Sequence, residues 1–182
     1  MDDFEKVLIA LKYLNLKLND PSVEENFQDR FILQKLTYLL MNLGIKMNYR
    51  FSLYKSGPYC PELTKDYYNN SWRVVNLDSR IKPFPREIKI FNQIKDEILT
   101  HPLYEKYSAA LLEAISTAYY IKKGGLHLTE DIVFRMTKEE KPYLSDKIVL
   151  IAINIVKKLM FKPKALTKDI QNELDIWDKS ED

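Results

Sequence analysis

The sequence predicts a mainly α-helical fold with minor α+β character: a compact domain of six to eight helices and a small two-stranded, hairpin-like element. Three observations support this prediction. Apolar residues recur at i, i+3, i+4 and i+7 in several segments, which is the period of an amphipathic helix. Glycine is scarce, with 4 in 182 residues, whereas all-β folds need many turns. A strand-like alternation is clear in one stretch, Tyr49–Tyr54.

The first two helices have the clearest patterns. Phe4 and Leu11 lie on one stripe, which predicts a helix over residues 3–18. The second predicted helix, over residues 30–44, is apolar around most of its circumference, so we expect it to be packed on several sides. Asp29 is its expected N-cap and Gly44 its C-terminal stop.

The segment after the second helix predicts a strand and then a corner. Tyr49–Tyr54 alternates as a strand does, and Pro58 and Pro61 lack backbone donors, so we expect the strand to end before them. Pro61 suits the first turn of a helix, predicted over residues 61–70. Trp72–Leu77 predicts a second strand that pairs with the first as a small wing.

The rest of the chain predicts further helices. We expect a single helical domain over residues 1–162, followed at 163–182 by a charged C-terminal tail or docking helix. The remaining predicted helices cover residues 86–99, 105–122, 129–137 and 144–160.

The composition is typical of a soluble intracellular protein. Hydrophobic residues make up 46% and charged residues 30% of the chain. One cysteine cannot form an internal disulfide, which fits a reducing compartment. The acidic start Met1–Asp3 lacks the basic region of a signal peptide, and no apolar run reaches 18 residues. We therefore expect a cytoplasmic location and no membrane association.

The candidate chemistry is sparse. A nucleophilic Cys60 would need a nearby base, but the two histidines, His101 and His127, each lie beside a helix break. The preferred interpretation of Cys60 is a small, semi-buried corner residue. The sequence contains no CxxC, HExxH, GxGxxG or Walker motif. We therefore predict no catalytic residue, no metal site and no cofactor, and expect a protein that is not an enzyme.

The basic middle of the chain is the candidate binding surface. Residues 30–123 carry fifteen Lys/Arg and eight Asp/Glu, a net +7, which could attract an acidic partner or a phosphate backbone. A solvated face is the preferred interpretation of these charges. The aromatic residues are interpreted first as a roof over the core, second as a protein interface and third as a nucleic-acid platform. The candidate partner or nucleic-acid surface comprises Arg50, Lys55, Lys65, Tyr67, Tyr68, Trp72, Arg73 and Arg80.

One block of sequence carries a family resemblance. RFILQKLTYLL at 30–40, NYRFSLY at 48–54 and GPYCPEL at 57–63 resemble the prokaryotic YwgA-type family and, more distantly, the SocA/Panacea antitoxin-associated domain. The resemblance is strong over 30–66, weaker over 107–160, and does not extend to the tail. Cys60 stands where the pattern has a small residue such as serine. The matching signature positions are Leu33, Gln34, Lys35, Tyr38, Phe51, Tyr54, Gly57, Pro58 and Tyr59.

The resemblance implies an α-rich module, usually without assigned catalysis, that is the neutralising or adaptor half of a toxin–antitoxin system or a protease adaptor. The signature residues then have a structural role. Gln34 and Lys35 interrupt an apolar helix, and buried polar groups require partners. We expect both side chains to hydrogen-bond the backbone of the Gly57–Tyr59 corner.

Three functional hypotheses follow. The first is a non-enzymatic, cytoplasmic protein-binding module, antitoxin-like or adaptor, whose partner is a toxin, a protease or a regulator; homodimerisation stays open. The alternative is a winged-helix-type nucleic-acid-binding regulator, suggested by the basic middle and its tyrosines. A third hypothesis, a cysteine-dependent enzyme, requires unusually fast alkylation of Cys60 at neutral pH.

Overall fold

The computed structural model describes residues 2–20, 27–77, 79 and 81–161. Over these ranges it confirms a mainly α-helical fold with a small antiparallel hairpin. The predicted tail at 163–182 lies outside the described residues. The helices are α1 (Asp3–Tyr13), α2 (Phe27–Leu43), α3 (Pro61–Asn69), α4 (Ser71–Asn76), α5 (Pro85–Ile94), α6 (Pro102–Gly124), α7 (Glu130–Glu140) and α8 (Asp146–Met160), and the strands are β1 (Ser52–Tyr54) and β2 (Gly57–Tyr59).

The chain divides into two compact units. Unit 1 comprises residues 1–54 and 58–95, and unit 2 comprises residues 55–57 and 96–182. Among the described residues, no helix is both long enough and apolar enough to cross a bilayer.

Helix α1 forms because its apolar stripe faces the core of unit 1. Phe4 and Leu11 are buried as expected, and the Asp2 carboxylate accepts a hydrogen bond from the Glu5 amide at 2.5 Å as an N-cap. The helix ends at Tyr13, short of the predicted residue 18. Asn15 has a φ of 55°, a left-handed conformation that asparagine tolerates and that stops a helix.

Helix α2 is the central helix of unit 1, since most of its middle turns are buried. It begins at Phe27, so the prediction of Asp29 as N-cap is wrong. Asp29 instead accepts hydrogen bonds from the backbone and side-chain nitrogens of Asn19, at 2.6 and 2.9 Å. Gly44 follows the helix with a φ of +118°, which confirms it as the C-terminal stop.

The hairpin is built from a different pair of segments than predicted. Trp72–Leu77 is not a strand: α4 covers Ser71–Asn76 and ends at Leu77 in a left-handed conformation. Six residues are too few to separate a strand period from a helix period. The partner of β1 is β2, which contains Pro58. A two-stranded sheet has only edge strands, and these tolerate a missing donor.

In unit 2, helices α6, α7 and α8 pack on one another. The predicted stripes are buried, among them Leu111 and Ala118 on α6 and Ile151 and Ile155 on α8. The helix predicted over 86–99 is α5 followed by a π-helical turn at Lys95–Leu99.

Candidate functional site

Gln34 of α2 holds the backbone at the start of α3. Its side chain is 1% exposed. Its Nε2 donates to the Cys60 carbonyl at 2.9 Å, and the Cys60 amide donates to its Oε1 at 2.9 Å. Nε2 also lies 2.9 Å from the Thr64 hydroxyl, to which it donates. Because Cys60 gives α3 no side-chain cap, Gln34 supplies the acceptor for the Cys60 amide, one of the donors that the start of a helix leaves unpaired.

Lys35 braces the hairpin from the neighbouring position on α2. It is 2% exposed, and its Nζ donates to the Pro58 carbonyl of β2 at 2.8 Å. The ammonium also lies 4.7 Å from the centroid of the Phe31 ring. A buried charge needs such compensation. The Lys35 contact confirms the expected hydrogen bond to the Gly57–Tyr59 corner, whereas Gln34 bonds the backbone of the next residue, Cys60.

Cys60 is sealed inside this corner. The residue is fully buried, and its thiol donates to Glu62 Oε2 at 3.1 Å. Burial raises the pKa of the Cys60 thiol, and the hydrogen bond and charge of Glu62 raise it further. Since the thiolate is the reactive form of cysteine, this environment holds the sulfur in its unreactive state.

Three residues of the predicted binding surface serve the fold. Tyr67 is 1% exposed, and burial raises its pKa to about 12. Arg73 forms a salt bridge with Glu5 of α1. The Tyr68 hydroxyl accepts a hydrogen bond from Arg30 at 2.9 Å.

The other predicted surface residues do reach solvent where the structure describes them. Arg50, Lys65 and Trp72 of unit 1 are exposed, Trp72 to 60%, and Lys55 of unit 2 is exposed as well. Arg80 lies outside the described residues.

Unit 1 contains an open groove that the sequence did not predict. Its volume is about 910 Å³, and it is lined by α1, the end of α2, the loop at residues 44–48, and α5. In this loop buried and exposed side chains alternate, with Ile45 and Met47 inside and Lys46 and Asn48 outside. Apolar side chains that line the groove are Met41, Leu43, Ile45, Met47 and Ile90.

Four basic side chains also line the groove: Lys6, Lys46, Arg86 and Lys89. None of the described lining residues is acidic. Arg86 donates to the Gly44 carbonyl at 2.9 Å, and Lys6 donates to the Lys46 carbonyl at 2.5 Å. Two of the four basic groups therefore also hold the loop in place.

Asp3 fixes the far end of the same loop. Its Oδ2 accepts hydrogen bonds from the Asn48 backbone and side-chain nitrogens, at 2.7 and 2.9 Å, and its Oδ1 lies 3.1 Å from Lys6 Nζ. Burial alone would raise the pKa of Asp3, but the hydrogen bonds from Asn48 and Lys6 and the charge of Lys6 together lower it. The carboxylate is thus ionised at neutral pH and holds both groups.

We call this groove the cationic groove. Its eleven lining residues are the five apolar and four basic residues named above together with Gly44 and Asn48. Two sequence signals were available for it: the alternation upstream of Tyr49, and the three basic residues Lys82, Arg86 and Lys89 within one short segment. Nothing in the spacing indicates that Lys6, Lys46 and Lys89 line one surface, because the three come from separate elements.

Unit 2 contains a buried polar cluster that was also not predicted. Lys141 is fully buried and donates to the Lys55 carbonyl. Burial lowers the pKa of Lys141, while the charges of Glu113 and Glu140 oppose that shift. The Tyr143 hydroxyl donates to Glu113, so this carboxylate too has a hydrogen-bond partner. Because Lys141 and Glu113 both have hydrogen-bond partners within unit 2, we interpret the cluster as part of the fold and not as a reaction site.

The described residues contain no group of three or more His, Cys, Asp or Glu side chains placed to hold a metal ion. No family model, curated protein or solved structure matches the chain. The YwgA-type and SocA/Panacea resemblance therefore stays a prediction.

Proposed function

We propose that the chain is a non-enzymatic protein-binding module, antitoxin-like or adaptor in role, that holds a partner polypeptide at the cationic groove. The main observation in support of this proposal is the groove itself, which has a volume of about 910 Å³ and is lined by apolar and basic residues. Such a surface combines area for hydrophobic contact with charges that orient the partner.

The state of Cys60 supports the non-enzymatic part of the proposal. Its thiol is buried, donates to Glu62 and has a raised pKa. A cysteine nucleophile needs the opposite conditions, namely access to substrate and a lowered pKa.

The winged-helix alternative requires Trp72–Leu77 to be a strand of the wing, but this segment is mainly helical. Tyr67 and Arg73, two of the residues that suggested it, are engaged in the core and in a salt bridge. Nucleic-acid binding stays a prediction without a specific observation in its favour.

The proposal is tested by isolating the partner. The tagged chain is expressed in the cell that carries its gene, cross-linked proteins are identified, and the complex is rebuilt from purified components. We expect a stable complex with one defined protein, and Cys60→Ser should bind that protein as the wild type does. If the only specific ligand is a nucleic acid, or if Cys60→Ser abolishes a measurable reaction, the proposal is wrong.

A further inference from the structure

We infer that the cationic groove takes an acidic amphipathic segment of the partner, one that presents aliphatic side chains on one face with Asp or Glu beside them. This inference rests on the proposed function and names the chemistry of the partner.

The charges favour an anionic ligand. Lys46 and Lys89 are exposed at the groove. Neither has an ion pair or a side-chain hydrogen bond to another described residue, in contrast to Lys6, which is paired with Asp3. Because the described lining residues include no carboxylate, the charges that a basic segment would meet in the lining are all of its own sign. An acidic segment would meet two cations available for pairing.

The floor favours aliphatic side chains. The apolar lining consists of the half-buried Met41 and Leu43 and the largely buried Ile45, Met47 and Ile90. Methionine is unbranched and polarizable, so a methionine-containing surface can adapt to aliphatic groups of different shape. An ion of phosphate size would leave this apolar surface uncovered, whereas the non-polar face of an amphipathic helix would cover it.

The lining disfavours single-stranded nucleic acid. Proteins that bind single strands combine basic residues with aromatic rings on which bases stack. The described residues that line the cationic groove include no Phe, Tyr, Trp or His. A nucleic acid would therefore find phosphate contacts here but no stacking partner.

The test uses fluorescence anisotropy with the full chain and a labelled synthetic helical peptide of about 15 residues. Leucines occupy one face of the probe and glutamates the rest. Two comparison peptides replace the glutamates by lysines or the leucines by serines. The groove variant is Lys46→Glu/Lys89→Glu. Its matched control, Lys17→Glu/Lys95→Glu, makes the same change in net charge at two exposed lysines outside the groove lining and outside the predicted partner surface.

We expect the acidic leucine peptide to bind the wild type and both comparison peptides to bind at least about tenfold more weakly. The groove variant should lose about tenfold or more in affinity and the control less than about twofold, with circular dichroism showing that both variants are folded. Binding should weaken as salt is raised, because the pairs are exposed. Equal binding to the groove variant and the wild type would overturn the inference, as would a labelled oligothymidine that binds more tightly than the peptide.

The partner isolated as above separates this inference from the proposed function. If that protein binds the groove variant as tightly as the wild type, the groove assignment is wrong and the binding module stands. If no partner protein exists while the peptide still binds at Lys46 and Lys89, the proposed function is wrong and the ligand chemistry of the groove stands.

Discussion

Replacing Gln34 by leucine tests whether the corner depends on the polar brace. Leucine keeps most of the side-chain volume, so the effect of a cavity is small. The buried Cys60 amide would lose its acceptor, and an unsatisfied buried donor costs about 1–3 kcal/mol. The Cys60 carbonyl would keep its bond from the Thr64 amide, and the Thr64 hydroxyl would keep its bond to Tyr59. These two losses therefore add about 0.5–1.5 kcal/mol in total.

We expect Gln34→Leu to lower the free energy of unfolding by about 1.5–4.5 kcal/mol, a large part of the about 5–15 kcal/mol typical of a folded protein. Urea denaturation followed by circular dichroism measures this, and the midpoint should fall by about 1–2 M. The matched control is Asn69→Leu at an exposed position of α3, for which a change within about 0.5 kcal/mol is expected. If the two variants have the same stability, Gln34 is not the brace.

Three further predictions concern Cys60, Gly44 and Asp3. Iodoacetamide at pH 8 should modify Cys60 at least about tenfold more slowly in the native protein than in urea, because the thiol is buried and its pKa is raised; equal rates would contradict the sealed corner. Gly44→Ala forces a residue with a Cβ into a φ of +118° and should lower the free energy of unfolding by about 1–3 kcal/mol. Its control is Gly124→Ala, where a Cβ meets open space and no loss of stability is expected. Equal losses of stability in the two variants would show that the positive φ of Gly44 is not the cause. The folded state lowers the pKa of Asp3, so the stability it contributes is complete above the unfolded pKa of about 4 and is lost as pH falls through the lower folded value. The free energy of unfolding should therefore fall less steeply with decreasing pH below about pH 4 for Asp3→Asn than for the wild type. The same pH dependence in both proteins would show that the ionisation of Asp3 is not coupled to folding.

Local patterns were sufficient for the helices that present one apolar face. The period on α1, α6 and α8 identifies their buried sides, and Gly44 marks the end of α2, because side-chain spacing and backbone freedom are properties of the chain near each residue. Gln34 and Lys35 were also interpretable from sequence. A polar pair in an apolar helix must find partners, and the nearby corner was the available set of backbone groups.

Local patterns were insufficient where two interpretations differ by little energy. Trp72–Leu77 is compatible with either a strand period or a helix period over so short a span. In the structure it belongs to helix α4, which buries Val74 and leaves Trp72 and Val75 exposed. Pro58 looked like the end of a strand, but it lies within β2 because a two-stranded sheet does not require its missing donor.

The spacing of side chains along short stretches of sequence thus accounts for the helical class of this chain and for its braced corner. The cationic groove has a different origin. Lys6, Lys46 and Lys89 are far apart along the chain, and they line one surface because the core of unit 1 brings α1, the loop after α2 and α5 together. Packing of distant apolar residues, which no short window of sequence contains, places these charges around a shared apolar floor.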